Sequence, residues 1–172
     1  MLKKTTIFLG MAGVGKSAIG RDVAKALNMP FFDTDKVIST EFNQPLHTVI
    51  KQIGEPNFLK KEAETVLKLA SSPCIISPGG SFIYAKSTIA LLKKSAILIY
   101  LYDTPLQIYK RIPNIESRGI IGLEGRTFEA LFVERHRLYK DSAHLQFNIN
   151  HYGFDETTAH IIDSLLLMNT GL

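Results

Sequence analysis

Eight consecutive residues, Gly10-Met11-Ala12-Gly13-Val14-Gly15-Lys16-Ser17, fit the pattern G-x-x-x-x-G-K-[ST]. The chemistry this spacing serves is phosphate binding. Glycines let successive backbone N–H groups turn inward around phosphate oxygens, and the start of a following helix adds its positive dipole end. The ammonium of Lys16 can then reach the terminal phosphates, and the Ser17 hydroxyl is the expected Mg²⁺ ligand. Such a match arises by chance in a chain of this length on the order of 1% of the time. Gly13, Val14, Gly15, Lys16, Ser17 and Ala18 are therefore the expected ATP contacts. Asp33 and Asp35 follow the second apolar run, two residues apart, so in an extended segment both carboxylates share one face. Asp33 suits Mg²⁺ held through water, and Asp35 suits a base that binds and deprotonates an attacking hydroxyl. An Asp at a strand-to-helix turn is also a favoured helix cap.

The elements that must position these residues are legible as alternation. Short apolar runs at Thr6–Leu9, Met29–Asp33, Cys74–Ser77, Ala96–Leu101 and Leu145–Asn150 read as strands. Amphipathic stretches between and after them read as helices: Ser17–Leu27, Lys36–Phe42, Pro45–Ile53, Glu55–Leu69, Ser87–Lys93, Pro105–Ile112, Thr127–Asp141 and Asp155–Leu167. Pro78-Gly79-Gly80 closes the third strand as a turn, and residues 113–125 read as a loop able to close over a nucleotide. The pattern predicts one α/β domain over residues 1–172, doubly wound, with a mostly parallel five-stranded sheet and helices on both faces. Open sheets of this kind bind ligands at the carboxyl ends of their strands, which is where the glycine loop, the two aspartates and Gly79-Gly80 fall.

The remaining motifs narrow the class. No N-K-x-D tetrapeptide for reading guanine is present, and the third strand does not end in an acidic residue as a large ATPase requires. Small kinases remain. In the order and spacing of its motifs the chain resembles the shikimate kinases, small P-loop kinases related in fold to nucleoside monophosphate kinases. Phe32-Asp33-Thr34-Asp35 with Ile38 is similar to F-x-D-x-D-x-x-I, and Gly54-Glu55-Pro56-Asn57-Phe58 with Glu62 to G-E-x-x-F-R-x-x-E. Ser77-Pro78-Gly79-Gly80-Ser81 falls at the family's Gly-Gly-Gly turn, Arg118-Gly119-Ile120-Ile121 at its R-P-L-L lid, and Glu134 to Tyr139 with Ala143 at E-R-x-x-L-Y-x-x-x-A.

The resemblance implies ATP- and Mg²⁺-dependent phosphorylation of a hydroxyl of shikimate, in aromatic amino-acid biosynthesis. It implies Arg111 on the adenine side, Arg118 on the migrating phosphate, and Asp35, Gly79, Gly80 and Arg135 around the acceptor. It further implies a lid at about 113–125 and acceptor-binding helices within about 36–69. Two positions depart from the pattern. Leu59 stands where the family has an arginine for the acceptor carboxylate, and Ser81 stands for the third glycine. Lys60 or Lys61 is a candidate replacement for that arginine, and Arg126 for Arg118. The residues leave open a different acceptor, such as a sugar acid or a nucleotide, and a non-catalytic ATP-binding module.

Composition fits this picture. Of 172 residues 45% are hydrophobic and 21% charged, which excludes a disordered or fibrous chain. The lone Cys74 permits no internal disulfide, and the five histidines show no metal-ligand spacing. A net charge of +4, spread along the chain, suits a small anionic metabolite and not a nucleic acid. Lys3-Lys4 and the apolar run after them imitate a secretion signal, but glycines and Lys16 interrupt it. A cytoplasmic monomer with no membrane segment is the expectation.

Overall fold

The computed structural model describes residues 2–113, 115 and 119–170. Five strands form one sheet: β1 (Thr6–Leu9), β2 (Phe31–Asp33), β3 (Ile75–Ser77), β4 (Ile97–Tyr102) and β5 (Leu145–Asn148). Their order is β2-β3-β1-β4-β5, and every neighbouring pair is parallel. β1, Thr-Ile-Phe-Leu, is buried along its whole length, as a parallel strand covered on both faces must be. β4 is longer and likewise buried except at Tyr102. The chain leaves β1 toward β3 and β2 and returns past it to β4. Its direction therefore reverses at β1, and the crevice at the carboxyl end of that strand is where such sheets bind ligands.

The helices are α1 (Lys16–Ala26), α2 (Thr34–Phe42), α3 (Leu46–Ile53), α4 (Glu55–Leu69), α5 (Lys86–Ser95), α6 (Pro105–Lys110), α7 (Phe128–Ser142) and α8 (Ile149–Thr170). The main core gathers all the strands with α1, α5, α7 and α8. A second, smaller core of Ile38, Val49, Ile50, Phe58 and Ile121 lies beneath α2, α3 and α4. It joins those three helices to Ile121, so α2, α3 and α4 share a core of their own. Among the described residues no helix is long and apolar enough to cross a membrane.

Most element ends shift by one or two residues from the sequence reading, and the larger differences fall at the turn after β3 and at α8, which starts at Ile149 rather than Asp155. The turn after β3 does not stop at Gly80 but winds into a 3-10 helix, Gly80–Tyr84. That segment is apolar and lacks a helical period, so its tight winding has no signature in sequence. β5 ends at Asn148 rather than Asn150, because α8 begins directly behind it. Gly153, at φ 75° and ψ 177°, then kinks α8. Cys74 is buried just before β3, and burial pushes its thiol pKa up, as an inert cysteine requires.

Ile99 is fully buried at the centre of β4, between Phe8 of β1 and Leu145 of β5. Ile99→Ala is expected to cost about 2–5 kcal/mol in urea denaturation through lost contacts and a cavity. A cost below about 0.5 kcal/mol, the size of a surface effect, would contradict its place in the core.

Candidate functional site

The glycine loop runs from β1 into α1. Gly15 caps the helix at φ 108°, a conformation a residue with a Cβ rarely adopts, and this lets the loop turn sharply into Lys16. Val14 buries its side chain, and its N–H meets the Met11 carbonyl at 3.3 Å. Lys16 is buried, and its ammonium donates to the carbonyls of Gly10 (2.8 Å) and Met11 (3.0 Å). A buried ammonium needs such acceptors, and two loop carbonyls meet that need.

Ser17, Asp33 and Ser77, from three neighbouring chain segments, meet at the carboxyl ends of the strands. The Ser17 hydroxyl donates to Asp33 Oδ2 at 2.7 Å and lies 3.1 Å from the Ser77 hydroxyl. Asp33 Oδ1 also accepts from the Lys36 N–H at 3.4 Å, so Asp33 caps α2 and reaches the loop at once. These are hard oxygen donors beside a phosphate-sized loop, a set that suits Mg²⁺, which keeps several waters and takes few protein ligands. Ser77 was not expected as a site residue. Its place at the end of a strand, immediately before Pro78-Gly79-Gly80, is the signal that could have found it.

Two cavities open here. One, of about 360 Å³, is lined by Gly13, Gly15, Lys16, Ser17, Ala18 and Asp33 among others. The second, of about 320 Å³, is lined by Leu46, His47, Ile50, Phe58, Ile121 and Arg135 among others. Both are lined by Ala12, Asp35, Gly79 and Gly80. Asp35 thus stands where a phosphate cavity and a largely apolar pocket meet.

The Gly79-Gly80 turn has no room for side chains. A Cβ on Gly79 would lie 2.8 Å from Glu62 Oε1 and 3.0 Å from Asp35 Oδ1. One on Gly80 would lie 3.1 Å from Arg135 Nη1 and 3.2 Å from the Ala12 nitrogen. Behind the turn, Glu62 is fully buried and accepts from the Gly79 N–H (2.7 Å), the Thr34 hydroxyl (3.2 Å) and the Ser81 hydroxyl (3.4 Å). Burial first, and then the Asp35 charge, push its pKa up to about 7. The Gly80 carbonyl accepts from the buried Tyr139 hydroxyl at 2.6 Å. Glu62 and Tyr139 lie in motifs read from the sequence, but their bonds to the turn are tertiary and leave no mark in it.

Arg135 is buried, and its Nη2 donates to the Ile121 carbonyl at 2.6 Å. Arg137, two residues on, is exposed. Arg111 lies on the far side of the loop, paired with buried Asp103 at 2.7 Å and stacked over Phe154, whose ring covers Gly15. Arg118 lies outside the described residues. Arg126 pairs with Glu134 at 2.7 Å. Leu59 packs against the second core and does not line the pocket beside Asp35. Lys60 and Lys61 do not line it either, and Lys61 pairs with Glu41, so neither stands in for the expected arginine in this structure. On α4, Lys60 is turned by about 200° from the pocket-lining Phe58, and Lys61, about 60° from it, is held by Glu41.

An all-parallel sheet of this order, with a glycine loop at its switch point and two aspartates at the next strand end, defines a P-loop kinase fold. The sequence profile for shikimate kinase matches residues 12–166, and the chain belongs to the shikimate kinase family. The shikimate kinase of Cereibacter sphaeroides is 30% identical over 141 residues, 80% of this chain and 71% of that protein. That of Actinobacillus pleuropneumoniae serotype 5b is 30% identical over 167 residues, 95% and 96% of the two. Among solved structures, shikimate kinase from Acinetobacter baumannii in complex with shikimate superposes with a TM-score of 0.84 at 22% identity, covering 96% of this chain and 94% of that one. A gluconokinase from Sinorhizobium meliloti shares the fold more distantly, at a TM-score of 0.60 and 13% identity, covering 99% and 95%.

Because the pKa of Glu62 is raised from 4.5 to about 7 by folding, the folded protein holds this proton more tightly than the unfolded chain. Its contribution therefore falls as pH rises through that window and is level above it. In urea titrations Glu62→Gln should gain stability relative to the wild type between about pH 5 and pH 7.5. A difference independent of pH would contradict a buried, titrating Glu62.

Proposed function

We propose that this chain transfers the γ-phosphoryl group of ATP, with Mg²⁺, to the 3-hydroxyl of shikimate. The observation that supports this most is Asp35, which lines both the loop cavity and the pocket that ends at Arg135. A hydroxyl bound in that pocket meets a carboxylate on one side and the phosphate loop on the other. Family membership supports an ATP-dependent kinase, and the fit of Ser17 and Asp33 supports magnesium.

In this reading the loop amides of Gly13 to Ala18 hold the phosphates. Lys16 exchanges the Gly10 and Met11 carbonyls for phosphate oxygens, acting as a point charge on the developing negative charge. Ser17, and Asp33 through water, would hold Mg²⁺, which would supply neutralisation of the charge on the transferring group. Asp35 orients the acceptor hydroxyl and takes its proton. Arg135 pairs with the acceptor carboxylate, and the backbone of Gly79 and Gly80 allows close approach. Arg111 serves the base side, and the resemblance to the family assigns Arg118 to the migrating phosphate.

Leu59 favours a second reading, an acceptor without a carboxylate at that point. Among the described residues lining the acceptor pocket, Arg135 is the one guanidinium or ammonium group. With a single such partner, shikimate is expected to bind with a high KM for this family.

ADP release measured across shikimate, sugar acids and nucleotides separates these readings. Shikimate should give the highest kcat/KM, and Asp35→Asn should lower kcat by about 10²–10⁴ with ATP KM nearly unchanged, since an amide cannot accept the proton. Turnover of another acceptor with shikimate inert would overturn the assignment, and no acceptor-dependent turnover at all would point to a binding module.

A further inference from the structure

Arg135 is a buried cation, and its orientation decides what its guanidinium offers the acceptor pocket. Its Nη2 is taken by the Ile121 carbonyl. Its Nε donates to the Tyr84 hydroxyl at 3.3 Å, and its carbon centre lies 5.1 Å above the Tyr84 ring. Nη1 is left beside Gly80, at the floor of the pocket. The Tyr84 hydroxyl can accept from Nε because its own proton is committed elsewhere, donated to Glu134 Oε1 at 2.6 Å. Glu134 in turn is held by Arg126 on its other oxygen at 2.7 Å. The bond from Tyr84, followed by Arg126, keeps the Glu134 carboxyl below the usual carboxylate range, so the acceptor end of this relay stays ionised at neutral pH.

Resting on the reading of Arg135 as the acceptor's cation, we propose that Tyr84 is a positioning residue for Arg135. Its hydroxyl, polarised by Glu134, and its ring fix the plane of the guanidinium so that the Nη1 edge stays turned into the acceptor pocket. Tyr84 lies in the 3-10 turn directly after Gly79-Gly80, and it lines the same shallow groove as Leu59. The site thus has leucine where its relatives' motif has arginine, and beside it a tyrosine that holds the remaining arginine from behind. A buried guanidinium with one edge unheld would trade orientations among its five donors. Two fixed edges and a ring face leave one edge for the ligand.

Two readouts test this on the full-length protein. The first is hydrogen exchange of the Arg135 Nε–H by NMR without ligands, the resonance identified by its loss in Arg135→Lys. Tyr84→Phe, which keeps the ring, should accelerate that exchange by about tenfold or more, and Glu134→Ala should act in the same direction. The second is steady-state kinetics: Tyr84→Phe should raise shikimate KM by about tenfold, the worth of one hydrogen bond to a charged group, with kcat within about threefold and ATP KM within about twofold. Unchanged exchange overturns the proposal whatever the acceptor, and so does faster exchange with an unchanged shikimate KM. If the wild type does not turn over shikimate, the functional reading fails separately. The exchange comparison then decides alone, acceleration supporting the positioning role and no change overturning it.

Discussion

Two carboxylates, a guanidinium and a phosphate loop can converge on one small space only if the wall between them has no side chains, and Gly79-Gly80 is that wall. Asp35 and Glu62 approach Gly79 closely, while Arg135 and Ala12 of the phosphate loop approach Gly80. Each comes from a different element, so the turn fixes the distances between α2, α4, α7 and the loop after β1. Two bonds hold the turn itself, from the Gly79 N–H to Glu62 and from Tyr139 to the Gly80 carbonyl. Residues far apart in sequence are thereby brought close around one small space.

Electrostatics follow from this crowding. Lys16 is buried with its ammonium held by the Gly10 and Met11 carbonyls, which offsets part of the cost of burying that charge. Burial, and after it the charge of nearby Asp35, raise the pKa of Glu62. Ser81, where the family motif has glycine, contributes a hydroxyl to that same carboxylate. Both departures from the motif, Leu59 and Ser81, thus lie on the Glu62 side of the pocket: Leu59 three residues before Glu62 on α4, Ser81 bonded to it.

Much of this was legible in the residues. The alternation of short apolar runs with amphipathic stretches carried the sheet, and the glycine loop carried the phosphate cavity. Asp33 and Asp35 were read from their spacing and their place at a strand end, and Asp33 caps α2 while also accepting from Ser17. The bonds that hold the site in shape were not legible. Glu62 to Gly79, Tyr139 to Gly80 and Tyr84 to Arg135 join segments 17, 59 and 51 residues apart. No local period or propensity encodes such pairs, because they arise only when the sheet brings its strand ends together. The 3-10 turn that delivers Tyr84 was hidden for a related reason, since its apolar residues are set by burial and not by a helical repeat.

The most direct test of the account is calorimetric titration of shikimate into the ADP-bound protein, wild type against Gly79→Ala. A methyl group at Gly79 intrudes between the Glu62 and Asp35 carboxylates but leaves the glycine loop untouched. The account predicts shikimate binding to the wild type, weakened by about tenfold or more in the variant, with ADP affinity unchanged. Equal shikimate affinity in the two proteins would contradict the claim that this bare turn organises the site.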